Sequence, residues 1–248
     1  MKDDTMKKLL LAGVAVLGLS FGAMAADNFA QIDQVGDNNN NHQEQRGSSG
    51  RFEATQDRNG NASSQTQTSS ASNNRGRVEQ VGNNNRATQL QSGRDNTGAG
   101  TGFGWGVFIR QNGDNNTGTQ SQLGNANQAR AYQTGNNQTV TQFQSGNENN
   151  ARSDQTGSDR SSVTQSQYGT ASRAIAEQGS ATDSSITQSQ FAGRGNYAES
   201  KQIGGSFMFA TVHQSGDTND ARTDQSGRNL TANAYQTGTN NVSRQIQR

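Results

Sequence analysis

Glutamine recurs along this chain at a nearly fixed spacing, and that spacing limits the possible folds more than any other property. Gln34, Gln45, Gln56, Gln67, Gln80, Gln91, Gln111, Gln122, Gln133, Gln144, Gln155, Gln167, Gln178, Gln190, Gln202, Gln214, Gln225, Gln236 and Gln247 form one series. Twelve of its 18 intervals are 11 residues and four are 12; the exceptions are 13, before Gln80, and 20, before Gln111. Gly follows many of these glutamines two positions later, at Gly36, Gly82, Gly93, Gly113, Gly124, Gly135, Gly146, Gly157, Gly216, Gly227 and Gly238. Asn often stands three beyond that Gly, at Asn85, Asn96, Asn116, Asn127, Asn149, Asn219 and Asn241. Gly and Asn tolerate positive φ, so each unit reads as a short strand ending near Gln and closed by a Gly/Asn turn.

A strand has a side-chain period of two, so positions −4, −2 and 0 relative to each Gln share one face and −3 and −1 the other. Charge follows that division. None of the 38 residues at −4 and −2 is charged, against 15 of the 38 at −3 and −1. A helix does not segregate charge with period two, and a disordered chain does not segregate it at all, so the units are expected to be β-strands with one buried face. Alternate units differ. Position −2 is Ile32, Ala54, Val78, Ile109, Ala131, Ser153, Ala176 and Ser200 in one set, and Gln43, Gln65, Gln89, Gln120, Gln142, Gln165 and Gln188 in the other. The true repeat is therefore about 22 residues, strand–turn–strand–turn. The 20-residue interval keeps this alternation if residues 98–106 are a loop insertion. The expected fold is all-β: a two-sheet, amyloid-like β-solenoid of about nine and a half rungs, roughly 45 Å long at ~4.8 Å per rung.

Composition explains why such a fold needs ladders. Only 27% of the 248 residues are hydrophobic, the mean hydropathy is −1.02, and there is no proline or cysteine. That excludes an ordinary globular core. Buried amides cost free energy unless hydrogen-bonded. In a stack each Gln or Asn can donate to its copy one rung away, so many rungs together order where a single one cannot. Much of the apolar content is N-terminal. Lys7 and Lys8 precede an apolar run from Leu9 to Phe21 and then Ala23-Met24-Ala25, the pattern of a secretory signal peptide with cleavage expected after Ala25. The domain reading is thus 1–25 signal peptide and 26–248 repeat solenoid, secreted. Removing residues 1–25 leaves 18 basic and 18 acidic residues, a balance that gives no nucleic-acid patch.

The two outer faces differ. The first set of strands (sheet 1) carries 14 charges at its 20 outer positions, and the second (sheet 2) one, Glu44, at 18. Sheet 2 instead has a Thr column at Thr88, Thr119, Thr141, Thr164, Thr187 and Thr211. Thr is a good strand residue in its own right; a flat array of it also suits a monomeric binder of ice or another regular surface. Catalysis has little to work with, and no cofactor is expected. His42 and His213 lie on outer positions of distant rungs, and the acidic residues alternate with Arg instead of converging. Gly102-Phe103-Gly104-Trp105-Gly106 lacks the Lys and the strand–helix setting of a phosphate loop.

The pattern Gln-x-Gly-x-x-Asn-x-Ala-x-x-x-Gln resembles the curlin repeat. Gln80-Val81-Gly82-Asn83-Asn84-Asn85-Arg86-Ala87-Thr88-Gln89-Leu90-Gln91 matches it at each defined position, as do Gln122 through Gln133 and Gln144 through Gln155. The resemblance implies a subunit of curli, the functional-amyloid fibres of biofilm matrix. It also implies partners: further copies of itself, other curlin subunits, and an outer-membrane export channel with its accessory proteins. Adhesion at the cell surface is implied with them. Two subunit types remain open. Gln-x-Gly in both halves of the repeat, and the ending Arg244-Gln245-Ile246-Gln247-Arg248, resemble the minor, nucleating subunit. The major subunit usually has a Gly-rich export segment, whereas here about eight residues separate Ala25 from Gln34. The bare strand edges at each end point independently to end-to-end polymerisation.

Overall fold

The computed structural model describes residues 28–68, 71–96 and 106–248; residues 1–25, the expected signal peptide, and all but Gly106 of the proposed insertion 98–106 lie outside them. Among the described residues every regular element is a strand. In chain order these are β1 (Phe29–Val35), β2 (Asn40–Gln45), β3 (Arg51–Asp57), β4 (Ala62–Gln67), β5 (Arg75–Val81) and β6 (Arg86–Ser92). There follow β7 (Val107–Asn112), β8 (Thr117–Leu123), β9 (Gln128–Asn136), β10 (Thr139–Asn147), β11 (Asn150–Asp159) and β12 (Ser162–Thr170). The chain continues through β13 (Arg173–Thr182), β14 (Ser185–Arg194), β15 (Tyr197–Ser206), β16 (Phe209–Ser215), β17 (Asp220–Gln225), β18 (Thr231–Thr237) and β19 (Val242–Gln247).

Odd strands make a ten-stranded sheet 1 and even strands a nine-stranded sheet 2, each in simple sequential order. All neighbours are parallel, because each strand returns to its own sheet after one full turn of the coil. The molecule is therefore a two-sheet parallel β-solenoid. Register is held by the buried face, since a one-residue slip would turn every inner side chain outward. Gln80 pairs with Gln111 across the 20-residue interval, so the sheet alternation is kept there.

The interior is narrow and half polar. An apolar seam joins position −2 of sheet 1 to position −4 of sheet 2, through Ala54, Val78, Ile109, Ala131 and Ala176 against Ala87, Val140, Val163, Ile186 and Ala210. Opposite it runs the Gln43–Gln188 column. That column stops where Val212 and Ala234 take its place, and there a second apolar cluster forms with Ala198 and Ala221. The seam changes sides in the last two rungs.

Candidate functional site

The position-0 glutamines of sheet 1 form one unbroken chain of side-chain hydrogen bonds. Gln34 Nε2 donates to Gln56 Oε1 at 2.5 Å, and the relay passes through Gln80, Gln111, Gln133, Gln155, Gln178, Gln202 and Gln225 to Gln247. Donation always runs toward the C-terminal rung. In sheet 2 the relay runs from Gln91 through Gln122, Gln144, Gln167, Gln190 and Gln214 to Gln236. It does not start at the first rung. Gln45 donates to Phe29 O, Gln67 points to Ser48 O at 3.5 Å, and Gln67 Oε1 and Gln91 Oε1 are buried without a partner. Gln67 stands at the start of the one 13-residue unit, and its amide points back to the turn between β2 and β3 rather than along the column. The third column, Gln43 to Gln188, is continuous.

Each amide has two N–H groups, and the second one crosses the interior. Gln120, Gln142 and Gln165 donate to the backbone oxygens of Phe108, Arg130 and Arg152 in the preceding strand. Gln80, Gln111 and Gln214 likewise reach Ala62, Arg86 and Tyr197. One amide thus ties two rungs along the axis and two sheets across it. Spacing along a column carries no information about which opposite carbonyl is met, so this link was not visible in the sequence.

The turn residues divide the work differently from the expectation that Gly and Asn serve through positive φ. The turn glycines named above all take positive φ, from 62° at Gly157 to 140° at Gly135. Where Gly is replaced, Arg58, Ser180 and Ala192 adopt 76°, 50° and 50° in its position. In the turns that carry the Asn, the second positive-φ residue is the one before it, such as Asn84, Ala126 or Glu148. The Asn three beyond Gly is instead a buried bracket. Asn127 Oδ1 accepts the backbone N–H of Asn149 at 3.0 Å, and its Nδ2 donates to Gly146 O at 2.8 Å. Asn85, Asn96, Asn116, Asn149 and Asn219 repeat this geometry, each fastening its turn to the next rung. The end-rung Asn241 bonds back to Asn219 Oδ1 and Thr237 O. The recurrence of Asn six before the ladder Gln was the available signal.

Outside, sheet 1 carries staggered ion pairs. Arg77 bridges Glu53 and Glu79, and Glu79 reaches Arg110. Exposed pairs of this kind contribute little each. Arg160 and Asp183 make a bidentate pair at 2.7 and 2.8 Å between turns. The guanidinium hydrogen-bonded to Asp183 holds its carboxyl below the usual range. A carboxyl depressed in this way adds stability above the ordinary Asp value and loses it as the pH falls through the depressed one. Arg160→Ala should therefore return the Asp183 titration to the ordinary range in an NMR pH series, and an unmoved midpoint would refute the pairing.

On sheet 2 the Thr column has an aromatic neighbour. Phe143, Tyr168, Phe191, His213 and Tyr235 stack at ring separations of 5.1–6.1 Å over five rungs. Tyr168 and Phe191 stand one after the ladder Gln rather than one before it, which hides the column from a fixed-spacing reading. His213 is spent in this stack, and among the described residues no His, Asp and Glu cluster could hold a metal ion.

These features define a polar-cored parallel β-solenoid with the character of a curlin-like repeat. The description of the Curlin associated repeat family matches residues 209–238, the span of β16, β17 and β18. The chain is similar to that family over these residues. No curated protein matches the chain.

Proposed function

We propose that the chain is a structural subunit of extracellular curli-type amyloid fibres, polymerising end to end and serving in biofilm matrix and surface adhesion. The carrying observation is that the sheet 1 ladder runs from the first described strand to the last, and that among the described residues both ends of the solenoid are strand edges with no further strand paired to them. Gln34 opens that ladder at β1 and Gln247 closes it at β19, while in sheet 2 the relay from Gln91 reaches Gln236 at β18. Unpaired parallel edges with a repeating side-chain relay are a template for another copy. On this reading residues 1–25 direct export, an outer-membrane channel and its accessory proteins complete it, and no enzymatic step is involved. The charged rows of sheet 1 then act as gatekeepers against premature assembly.

The expected result for the purified secreted chain is unbranched fibres with a meridional diffraction spacing of about 4.8 Å. A persistent monomer in concentrated solution would sink the reading. A second reading, the minor nucleating subunit of such fibres, is favoured by Gln-x-Gly in both halves of the repeat. Trace addition to a major curlin subunit should then abolish that subunit's lag phase, whereas a major subunit would act only as a preformed fibre seed.

A further inference from the structure

Resting on the end-to-end reading, we infer that successive copies join after a half-turn about the fibre axis, so that sheet 1 of one copy continues sheet 2 of the copy before it. The described strands number ten in sheet 1 and nine in sheet 2. A second copy can therefore be added in two ways. In line, β1 lies on β19 and β2 on β18, leaving sheet 2 one strand short at every junction. Turned, β1 lies on β18 and β2 on β19, and the coil continues without a gap. The two halves of the repeat share one strand–turn pattern, so a half-turn exchanges the sheets while keeping every strand parallel to its neighbour.

The inner side chains distinguish the two. At position −2 the last strands offer Ala234 on β18 and Gln245 on β19, and the first offer Ile32 on β1 and Gln43 on β2. The turned junction sets Gln on Gln and apolar on apolar; the in-line junction sets Gln245 on Ile32 and Ala234 on Gln43. Position −4 gives the same answer. Turned, Ser243 meets Asn41 and Ala232 meets Ala30; in line, both contacts are mixed.

Hydrogen bonding supports it independently. Gln43 Oε1 and Asn41 Oδ1 are buried without a partner, at the face where a preceding rung would donate. In the turned junction Gln245 Nε2 and Ser243 Oγ stand beneath them. Gln245 already makes the donor bond of a sheet 2 column glutamine, its Nε2 donating to Asn233 O in the strand before as Gln120 does to Phe108 O, although its own Oε1 lacks the partner that Gln120 Oε1 has in Gln89. In the turned junction its second N–H continues the relay into Gln43. An uncompensated buried acceptor costs free energy that the matching donor recovers. Two copies then make one fibre repeat of roughly 91 Å, taking ~4.8 Å per rung, with the charged face alternating sides.

The test uses four outward residues just before the ladder Gln: Asp33, Glu44, Tyr235 and Ile246. The chain has no native cysteine, so introduced pairs report alone. The full chain is expressed with its own leader and purified. It carries E44C with I246C or D33C with Y235C for the turned junction, and D33C with I246C or E44C with Y235C for the in-line one. The same four substitutions serve both arrangements, so their effects on folding cancel. Fibres are treated with a thiol crosslinker of about 5 Å reach, the spacing of stacked strands. Expected are covalent multimers from the first two pairs and monomers from the last two on a denaturing gel. The reverse pattern, equal crosslinking of all four, or well-formed fibres with no crosslinking each overturn the half-turn junction while leaving polymerisation standing. Failure of the unsubstituted chain to form fibres overturns the end-to-end reading, and the junction with it.

Discussion

Replacing Gln167 by Leu is expected to cost roughly 2–6 kcal/mol of folding stability, about 1–3 for each of two buried groups left unpaired. Gln167 is fully buried, accepts from Gln144 Nε2 at 2.9 Å and donates to Gln190 Oε1 at 2.8 Å and to Asn150 O at 3.2 Å. Leucine nearly conserves the volume, so the change isolates the polar term from a cavity term. It strands a Gln144 N–H below and the Gln190 oxygen above, both in the middle of the stack. Gln247→Leu at the end rung removes the acceptor of Gln225, in a part-buried bond, and an exposed bond to Thr231 O; with one group left unpaired and partly open to water it is expected to cost about 1 kcal/mol, the low end for a single group. Urea unfolding of freshly diluted monomer measures both. Equal midpoint shifts for the central and terminal substitutions would refute the relay as a source of stability. The apolar alternative already exists in the molecule at Val212 and Ala234, where the column changes to apolar residues together and the last amide, Gln188, donates instead to Ser200 Oγ at 3.1 Å.

The comparison of Gln167 with Val212 shows which parts of the structure were legible in the sequence. Period-two burial follows from one constraint, that a charged side chain cannot enter the interior, and that constraint acts on each unit separately; the two alternating sheets follow from comparing position −2 between neighbouring units. Arg152 and Asp154 flank Ser153, and their outward placement needs no knowledge of any other rung. The ladder from each Gln to its copy one rung away was legible from the spacing, but contacts between the two sheets, or between a turn and the backbone of the next rung, were not. The bond from Gln142 to Arg130 O depends on how two sheets face each other, and spacing within one sheet does not fix that. The bracket at Asn127 looks like ordinary turn chemistry until the next rung's N–H is in place. Tyr168 and Phe191 join the aromatic column only because their side chains move from one side of the ladder Gln to the other without leaving the outer face. The seam's change of sides at rung eight is similar: Val212 looks like a lost glutamine until Ala198 and Ala221 are seen beside it.

Gly124→Ala is expected to destabilise the chain by about 3 kcal/mol or more, the range reached when a strained backbone and a blocked contact coincide. Gly124 has φ +117°, outside the left-handed region near +57° that other residues visit. A methyl group there would stand 2.0 Å from Gly146 O in the next rung. That oxygen is backbone and cannot swing aside, and it is also the acceptor of Asn127 Nδ2 at 2.8 Å. The alanine therefore loads the dihedral, separates two rungs and pulls a bracket apart in one change. Gly204 provides the control. Its φ is +61° and a methyl group would meet nothing within 4 Å, so Gly204→Ala should cost only about 1 kcal/mol, the penalty for an L-residue held in that region. Hydrogen exchange should localise the difference. Amides bonded across the rung of β8 and the rung of β10, such as Glu148 to Asn125 O, should lose protection in Gly124→Ala and keep it in Gly204→Ala. If both substitutions cost the same, positive φ alone accounts for the turn glycines. A larger cost at Gly124 assigns them to the close approach of successive turns, the contact that a fibre repeats at every rung.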